Sequence, residues 1–448
     1  MGDRWFTRLR KPQGSATGKV VLAAVLLCGL FSFIALLVAG GRIPLQQVFG
    51  GRAVEALASE MPRGKIVSSA ADLRRAVEDA GDGAIILLAP GRYPQIALAN
   101  ARKTGSITIT SADRSRPASI GRLMIRNSSG LVIRDVELAA DESAVPARLA
   151  PNRDDDDDAA GGADGNRPVQ VARPAGRSLA TRFPFMIVES ERITLDRLYV
   201  HGPLNNLEAA HRISAMMLRA SKQITVSNSR FVALWHGIAM LDLDGGVIRN
   251  NEFSNIRTDG VRGGDVSNLQ IVGNVFTDFR PVQGDHPDGI QLWSTPKHVA
   301  MKNIVIRDNM VVRGKGLPTQ GIFLRDVRNG RPFQNVEIRD NLVMGGLYNG
   351  IAVNGVDGGR IEDNEIINYP DRKHSWLRVD NSQGLEVRRN RASRFLITRS
   401  TAAESENRID GGSQRDEAKR VARWLDAKSG RRRGDSGLQQ ALSGKSGP

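Results

Sequence analysis

A short motif recurs along the middle of this chain and limits the fold more than any local propensity does. His236-Gly-Ile-Ala-Met, Asp259-Gly-Val-Arg-Gly, Asp288-Gly-Ile-Gln-Leu, Gln320-Gly-Ile-Phe-Leu and Asn349-Gly-Ile-Ala-Val all open on a polar residue, a glycine and a branched apolar residue. Their glycines, Gly237, Gly260, Gly289, Gly321 and Gly350, lie 23, 29, 32 and 29 residues apart. A second series runs between them: Ile248-Arg-Asn-Asn251-Glu-Phe253, Ile271-Val-Gly-Asn274-Val-Phe276, Ile306-Arg-Asp-Asn309-Met-Val311, Ile338-Arg-Asp-Asn341-Leu-Val343 and Ile361-Glu-Asp-Asn364-Glu-Ile366. Val387-Arg-Arg-Asn390-Arg-Ala392 is a weaker last copy. Self-similarity at a near-constant period means stacked repeats.

Two short strands per repeat bury no core alone, so each repeat must lie on the next. Val, Ile and Phe at alternate positions face inward, while the intervening Arg, Glu, Gln and Asp face solvent. An asparagine at one fixed turn position suits a ladder of amides bonded from coil to coil. The recurrent glycine suits either a positive φ or close packing. The fold expected is all-β, a single-stranded right-handed parallel β-helix over residues 66–400.

Ahead of the repeats, Leu73, Ala76, Val77 and Ala80 have helical spacing, and Gly81-Asp-Gly83 stops the helix. A strand from Ala84 then ends at Pro90-Gly91-Arg-Tyr93. This order resembles the opening of pectate-lyase-like β-helix proteins. The resemblance implies a capping helix over the N-terminal end of the coil, where an open sheet edge would otherwise remain. Between residues 139 and 180 the pattern lapses, through the acidic run Asp154 to Asp158 and several prolines, which reads as a disordered acidic insertion.

The chain ends carry their own signals. Residues 1–18 hold Arg4, Arg8, Arg10 and Lys11 against Asp3, and Val20 to Ala39 is free of charge. That length crosses a bilayer as a helix, so one transmembrane helix is expected at 19–40, with a linker at 41–65. The basic flank places the N-terminus in the cytoplasm and the β-helix in the periplasm or outside, with the chain single-pass in the inner membrane. A cleaved signal peptide is the competing reading, but Leu37-Val38-Ala39 is not a clean small-x-small site. Residues 401–448 form a basic, mostly flexible tail with a short amphipathic helix near Ala418 to Leu425. Cys28, the single cysteine, excludes an intrachain disulfide. With 63 Lys and Arg against 48 Asp and Glu, the partner expected is anionic. No nucleic-acid-binding motif appears, so an acidic polysaccharide is favoured, with machinery for exopolysaccharide synthesis or export a further partner.

Stacking turns the repeats into columns of side chains about 4.8 Å apart. The column before the glycine holds His236, Asp259, Asp288, Gln320, Asn349 and Ser375; outward positions beyond it hold Arg262, Gln291 and Phe323, then Trp293 and Arg325. Asp259 and Asp288, one coil apart, repel unless a proton, a cation or an arginine lies between them. A metal at this pair, calcium above all, is one answer; otherwise no cofactor is required. His286, in a turn beside Asp288, is the acid/base candidate, with Asp288, Asp259 and Arg325 completing the catalytic set. Arg262, Gln291, Trp293, Lys315 and His236 are the substrate-binding candidates, the indole for stacking on a sugar ring. The plain alternative is that Asp before Gly merely caps a turn.

At His286-Pro-Asp288-Gly-Ile-Gln291 the chain resembles β-helix enzymes acting on acidic polysaccharides, namely lyases of the pectate and alginate type and mannuronan C5-epimerases. The resemblance implies removal of the C5 proton of a uronate, with positive charge stabilising the intermediate. The calcium-binding aspartate cluster of pectate lyases and the Asp-Pro-His-Asp motif of periplasmic epimerases are missing. A polygalacturonase-like hydrolase is the alternative enzyme; Thr258-Asp259-Gly260, His236-Gly237 and Arg313-Gly-Lys315 supply fragments of that set in the wrong order. A glycan-binding or export scaffold is the alternative without catalysis.

Overall fold

The computed structural model describes residues 64–144, 183–295, 299–327, 330, 332–369, 371, 374–410 and 418–426. The expected membrane span, the linker, the run Asp154 to Asp158 and the last residues of the tail lie outside them. Among the described residues no helix is long and apolar enough to cross a membrane. Residues 418–426 are helical and belong to a second unit of the chain.

The described residues between 65 and 409 wind as a parallel β-helix. A 22-stranded sheet and a 12-stranded sheet run its length, and the strand pairings are parallel throughout. In one representative coil, Val261–Ser267 and Leu269–Val272 join the larger sheet and Val275–Thr277 the smaller. The registers put Ile238, Val261, Ile290, Ile322, Ile351 and Leu377 in a single column. All six are fully buried, as alternation requires of the inward face. Phe231, Phe253 and Phe276 stack in the opposite wall with ring centroids 4.8 Å apart, and Val311, Val343 and Ile366 continue that column.

The recurrent glycine answers to packing. None of Gly237, Gly260, Gly289, Gly321 and Gly350 has a positive φ. A Cβ on Gly260 would lie 2.4 Å from the Phe276 ring, and one on Gly321 would lie 2.1 Å from the Gly350 carbonyl oxygen. The chain passes too close to the facing wall at this corner for any side chain.

The other corner is held by the asparagines. Asn251, Asn274, Asn309, Asn341, Asn364 and Asn390 are all buried to within 1%. The Oδ1 of each accepts both the backbone N–H and the Nδ2–H of its counterpart one coil earlier, as in Asn274 to Asn309 (both 3.0 Å), except that Asn251 receives the backbone N–H of Ser229. Each Nδ2 also donates to a carbonyl of the preceding coil, as Asn309 does to Ile271 at 2.8 Å. The residues before the ladder, Asn250, Gly273, Asp308, Asp340, Asp363 and Arg389, all have φ between 53° and 67°. The Asp-Asn and Gly-Asn pairs in the sequence therefore combine a residue that tolerates the left-handed turn with the amide that staples it.

At the N-terminal end, helix Ala70–Asp79 starts at Ser69, whose Oγ accepts the Asp72 N–H at 3.0 Å. Leu73, Ala76 and Val77 are buried in the same core as the first strands. At the other end the coil continues past residue 400 through Ala402–Ser405 and Arg408–Ile409. Asn407 extends the ladder there, accepting from the Asn390 N–H. The alternating apolar pattern is absent from this last turn because one of its faces is exposed.

Asn309→Ala would leave the Asn274 amide hydrogens and the Ile271 carbonyl buried without partners, a loss of about 2–4 kcal/mol. A lowered midpoint in circular-dichroism melts or urea unfolding of the variant is the expected outcome. Asn309→Asp should be at least as harmful, because it sets a second acceptor against Ile271 and Asn341.

Candidate functional site

The column register expected from the repeats is the one observed over most of the site. Ala239, Arg262, Gln291, Phe323, Ala352 and Arg378 pair in succession, as do Leu241, Gly264, Trp293 and Arg325. The strand Asp288–Trp293 sits at the centre, and the loop from Thr277 to Pro287 carries His286 over its start.

That loop is clasped in place. Arg257 makes a two-point ion pair with Asp285, at 2.8 and 2.9 Å, and Asp285 also accepts the Val282 N–H. Both side chains of the pair are largely buried, and the Arg257 guanidinium also lies 5.3 Å from the Trp235 ring. Breaking such a pair leaves an uncompensated charge, so the loop geometry is well determined.

Each of the two carboxylates has contacts of its own. Asp259 Oδ2 meets Arg262 at 3.1 Å, and its Oδ1 accepts the Asp288 backbone N–H at 3.1 Å. Asp288 is fully buried and its Oδ2 meets His286 Nδ1 at 2.9 Å. Each carboxylate thus has a donor beside it, the Arg262 guanidinium for Asp259 and the His286 ring N–H for Asp288. Among the described residues no group of three or more His, Cys, Asp or Glu side chains could hold a metal ion.

Several substrate-binding candidates have structural partners instead. His236 is buried (3% exposed), stacks on Trp235, and contacts Ser214 Oγ through Nδ1 (2.8 Å) and Arg262 through Nε2 (2.7 Å). Arginine only donates, so Nε2 is the accepting nitrogen and Nδ1 carries the proton donated to Ser214. Its Nε2 thereby holds the Arg262 guanidinium. Arg262 is committed to Asp259 and His236 and lies 4.9 Å from the Trp293 ring. Trp293 is half-buried, lying across Gly264 where a side chain would displace it. Gln291 is 3% exposed, and its Oε1 is buried with no hydrogen-bond partner. Arg325 is half-buried beside Trp293 in register. Lys315 is exposed in the loop before Gln320, where its backbone makes the contacts, to Asp278 and Arg280. The groove of about 400 Å³ lined by Asp242, Asp244, Asp265 and Lys302 contains none of these residues.

Other residues join the site that the repeat pattern did not single out. Gln320 Nε2 contacts His286 Nε2 at 2.6 Å; Asn349 Nδ2 donates to Gln320 Oε1; Trp376 Nε1 donates to Asn349 Oδ1 at 2.9 Å. Phe323 lies against the imidazole, with centroids 5.6 Å apart. Tyr348 packs on Trp376, and its phenol is pushed up from the ordinary value by burial and by the negative charge of Asp288. Gln320 and Asn349 were visible as members of the polar column. Trp376 was not: a register shift between Asn349 and Ile351 brings it, rather than Ser375, beside Asn349.

A family model described as "Right handed beta helix region" matches residues 214–392. The protein is a right-handed parallel β-helix. Solved structures similar to it include a surface adhesin, PfbA, of Streptococcus pneumoniae (12% identity, TM-score 0.43, covering 78% of this chain and 90% of that one). An alginate lyase from Paenibacillus sp. str. FPU-7 is also similar (12%, TM-score 0.34, 78% and 99%). So is the A-module of a mannuronan C-5 epimerase from Azotobacter vinelandii (12%, TM-score 0.40, 78% and 96%). No curated protein sequence matches. What this β-helix does must be read from its own residues.

Asp288→Asn should lower the Tyr348 titration toward the ordinary tyrosine range, since a nearby negative charge disfavours the phenolate. Ultraviolet pH titration, with Tyr348→Phe subtracted to isolate that phenol, checks the sign; an unchanged curve would separate Tyr348 from the site.

Proposed function

We propose that this β-helix acts on an acidic, uronate-containing polysaccharide by removing the proton at C5, as a lyase or a C5-epimerase. The observation that carries the reading is His286 held by a fully buried carboxylate, Asp288, in a loop fixed by the Arg257–Asp285 pair. A base oriented by a second group is the arrangement that proton abstraction needs. In this reading Nε2 of His286 takes the C5 proton, and the electron pair moves into the uronate carboxyl group, whose growing charge Arg325 faces from the Trp293 edge. Elimination then expels the 4-O substituent, which takes its proton from Tyr348, a phenol that its surroundings keep protonated. Epimerisation instead returns a proton to the opposite face of C5. In either case the substrate must displace the Gln320 amide from Nε2.

That amide is the specific observation behind a second reading, a glycan-binding scaffold without turnover, in which His286 is a wired structural residue. Incubation with a panel of polyuronates separates the two. New ultraviolet absorbance from an unsaturated end marks a lyase, and deuterium at C5 without cleavage marks an epimerase. New reducing ends without absorbance would overturn C5 chemistry in favour of hydrolysis, and binding with no product would leave the scaffold. His286→Ala should lower turnover by about two to four orders of magnitude with the melting temperature little changed.

We also propose that helix Ala70–Asp79 closes the N-terminal end of the coil and that residues 19–40 anchor it in the inner membrane with the coil outside. A thiol reagent that cannot cross the membrane should label Ser59→Cys on intact cells. Labelling only after lysis would reverse that topology.

A further inference from the structure

Trp376, Asn349 and Gln320 open three strands in successive coils, Trp376–Asp380, Asn349–Asn354 and Gln320–Arg325, and His286 stands just before the strand of the coil below. Their side chains make one continuous line of hydrogen bonds, from the Trp376 indole through Asn349, Gln320 and His286 to Asp288. The two ends of this line differ in kind. An indole N–H can only donate, and an ionised carboxylate can only accept.

The direction of every bond between them follows. Trp376 donates to Asn349 Oδ1, so the Asn349 amide nitrogen is turned toward Gln320 and donates to its Oε1. The Gln320 amide nitrogen is thereby turned toward His286 and donates to Nε2, which must offer its lone pair. The ring proton is left on Nδ1 and goes to Asp288. Gln320 is fully buried and Asn349 is 7% exposed, so reversing either amide would set donor against donor or acceptor against acceptor away from water. The other groups near the ring have contacts of their own. Asp285 is taken by Arg257, Asp259 by Arg262, and Phe323 offers only a ring face. Tyr348 is neutral at ordinary pH.

We infer that Trp376, Asn349 and Gln320 are positioning residues that lock His286 as the neutral tautomer protonated on Nδ1, with the Nε2 lone pair held ready. The lock is built from residues up to three coils away, and of these only Gln320 stands where a substrate would meet Nε2. Its meaning for turnover rests on the C5 reading above. The lock itself is read without substrate, so the two can fail separately.

The test is two-bond proton–nitrogen correlation on the full chain carrying ring-15N histidine, with the His286 signals assigned by their loss in His286→Gln. The native protein should show Nδ1 protonated and Nε2 bare at neutral pH. Gln320→Glu replaces the donor facing Nε2 by an acceptor, so the ring should bind a second proton and titrate about one to three pH units higher. Trp376→Phe removes the donor that orders the line, so the Gln320 amide can turn its oxygen toward Nε2 and the ring should titrate higher than in the native protein, by less than in Gln320→Glu. A native ring protonated on Nε2 would overturn the inference, as would an unshifted titration in Gln320→Glu or in Trp376→Phe. A melting curve for each variant shows that it is folded when measured. If native His286 has the inferred tautomer but no polyuronate is turned over, the lock stands and the C5 reading falls.

Discussion

The buried asparagine amide is the interaction on which the rest of this molecule depends. A coil of two or three short strands has too little apolar area to hold a sharp corner, and a corner leaves backbone groups without ladder partners. One asparagine per coil supplies an acceptor for two N–H groups of the coil before it and a donor for a carbonyl there, as Asn309 does for Asn274 and Ile271. The bonds repeat because the spacing repeats. With the corners fixed, residues at equivalent positions fall one above another and columns become possible.

The site uses the same physics on the outer face. Asp259, Asp288, Gln320 and Asn349 stand in a column for the reason the ladder asparagines do, but their chemistry differs from coil to coil. Where the ladder repeats one amide, this column runs from a carboxylate held by arginine, through a carboxylate holding a histidine, to two neutral amides and an indole. Charges lie where Arg262 and His286 can compensate them, and neutral groups lie beyond. Such a gradient in a buried column carries more electrostatic risk than a uniform asparagine ladder would. That contrast favours a functional role for the His286 end.

The basic composition does not become a simple basic face. Arg262 faces Asp259, Arg257 faces Asp285, and further along the coil Arg339 and Arg360 face Glu337. Opposite charges meet within a coil, as in Arg262–Asp259, and across adjacent coils, as in Arg257–Asp285, so many arginines read from the sequence as free cations are spent on neighbours. Net charge reports on the sum, and this fold pairs the charges locally before any ligand arrives.

Sequence alone determined the repeat, and with it the parallel coil, the inward Ile and Val column, the asparagine ladder and the register that sets Arg262 beside Gln291 and Trp293 beside Arg325. These follow because a period of stacked coils translates sequence spacing directly into spatial adjacency. Only the tertiary structure decided that the recurrent glycine serves close packing, that His236 supports Arg262, and that Asp259 faces Arg262 while Asp288 faces the His286 ring. The same holds for the route from Trp376 to His286. It depends on a one-residue register shift after Asn349 and on which nitrogen of each amide faces which neighbour, and neither hydrogen-bond direction nor a local bulge leaves a periodic trace in the chain.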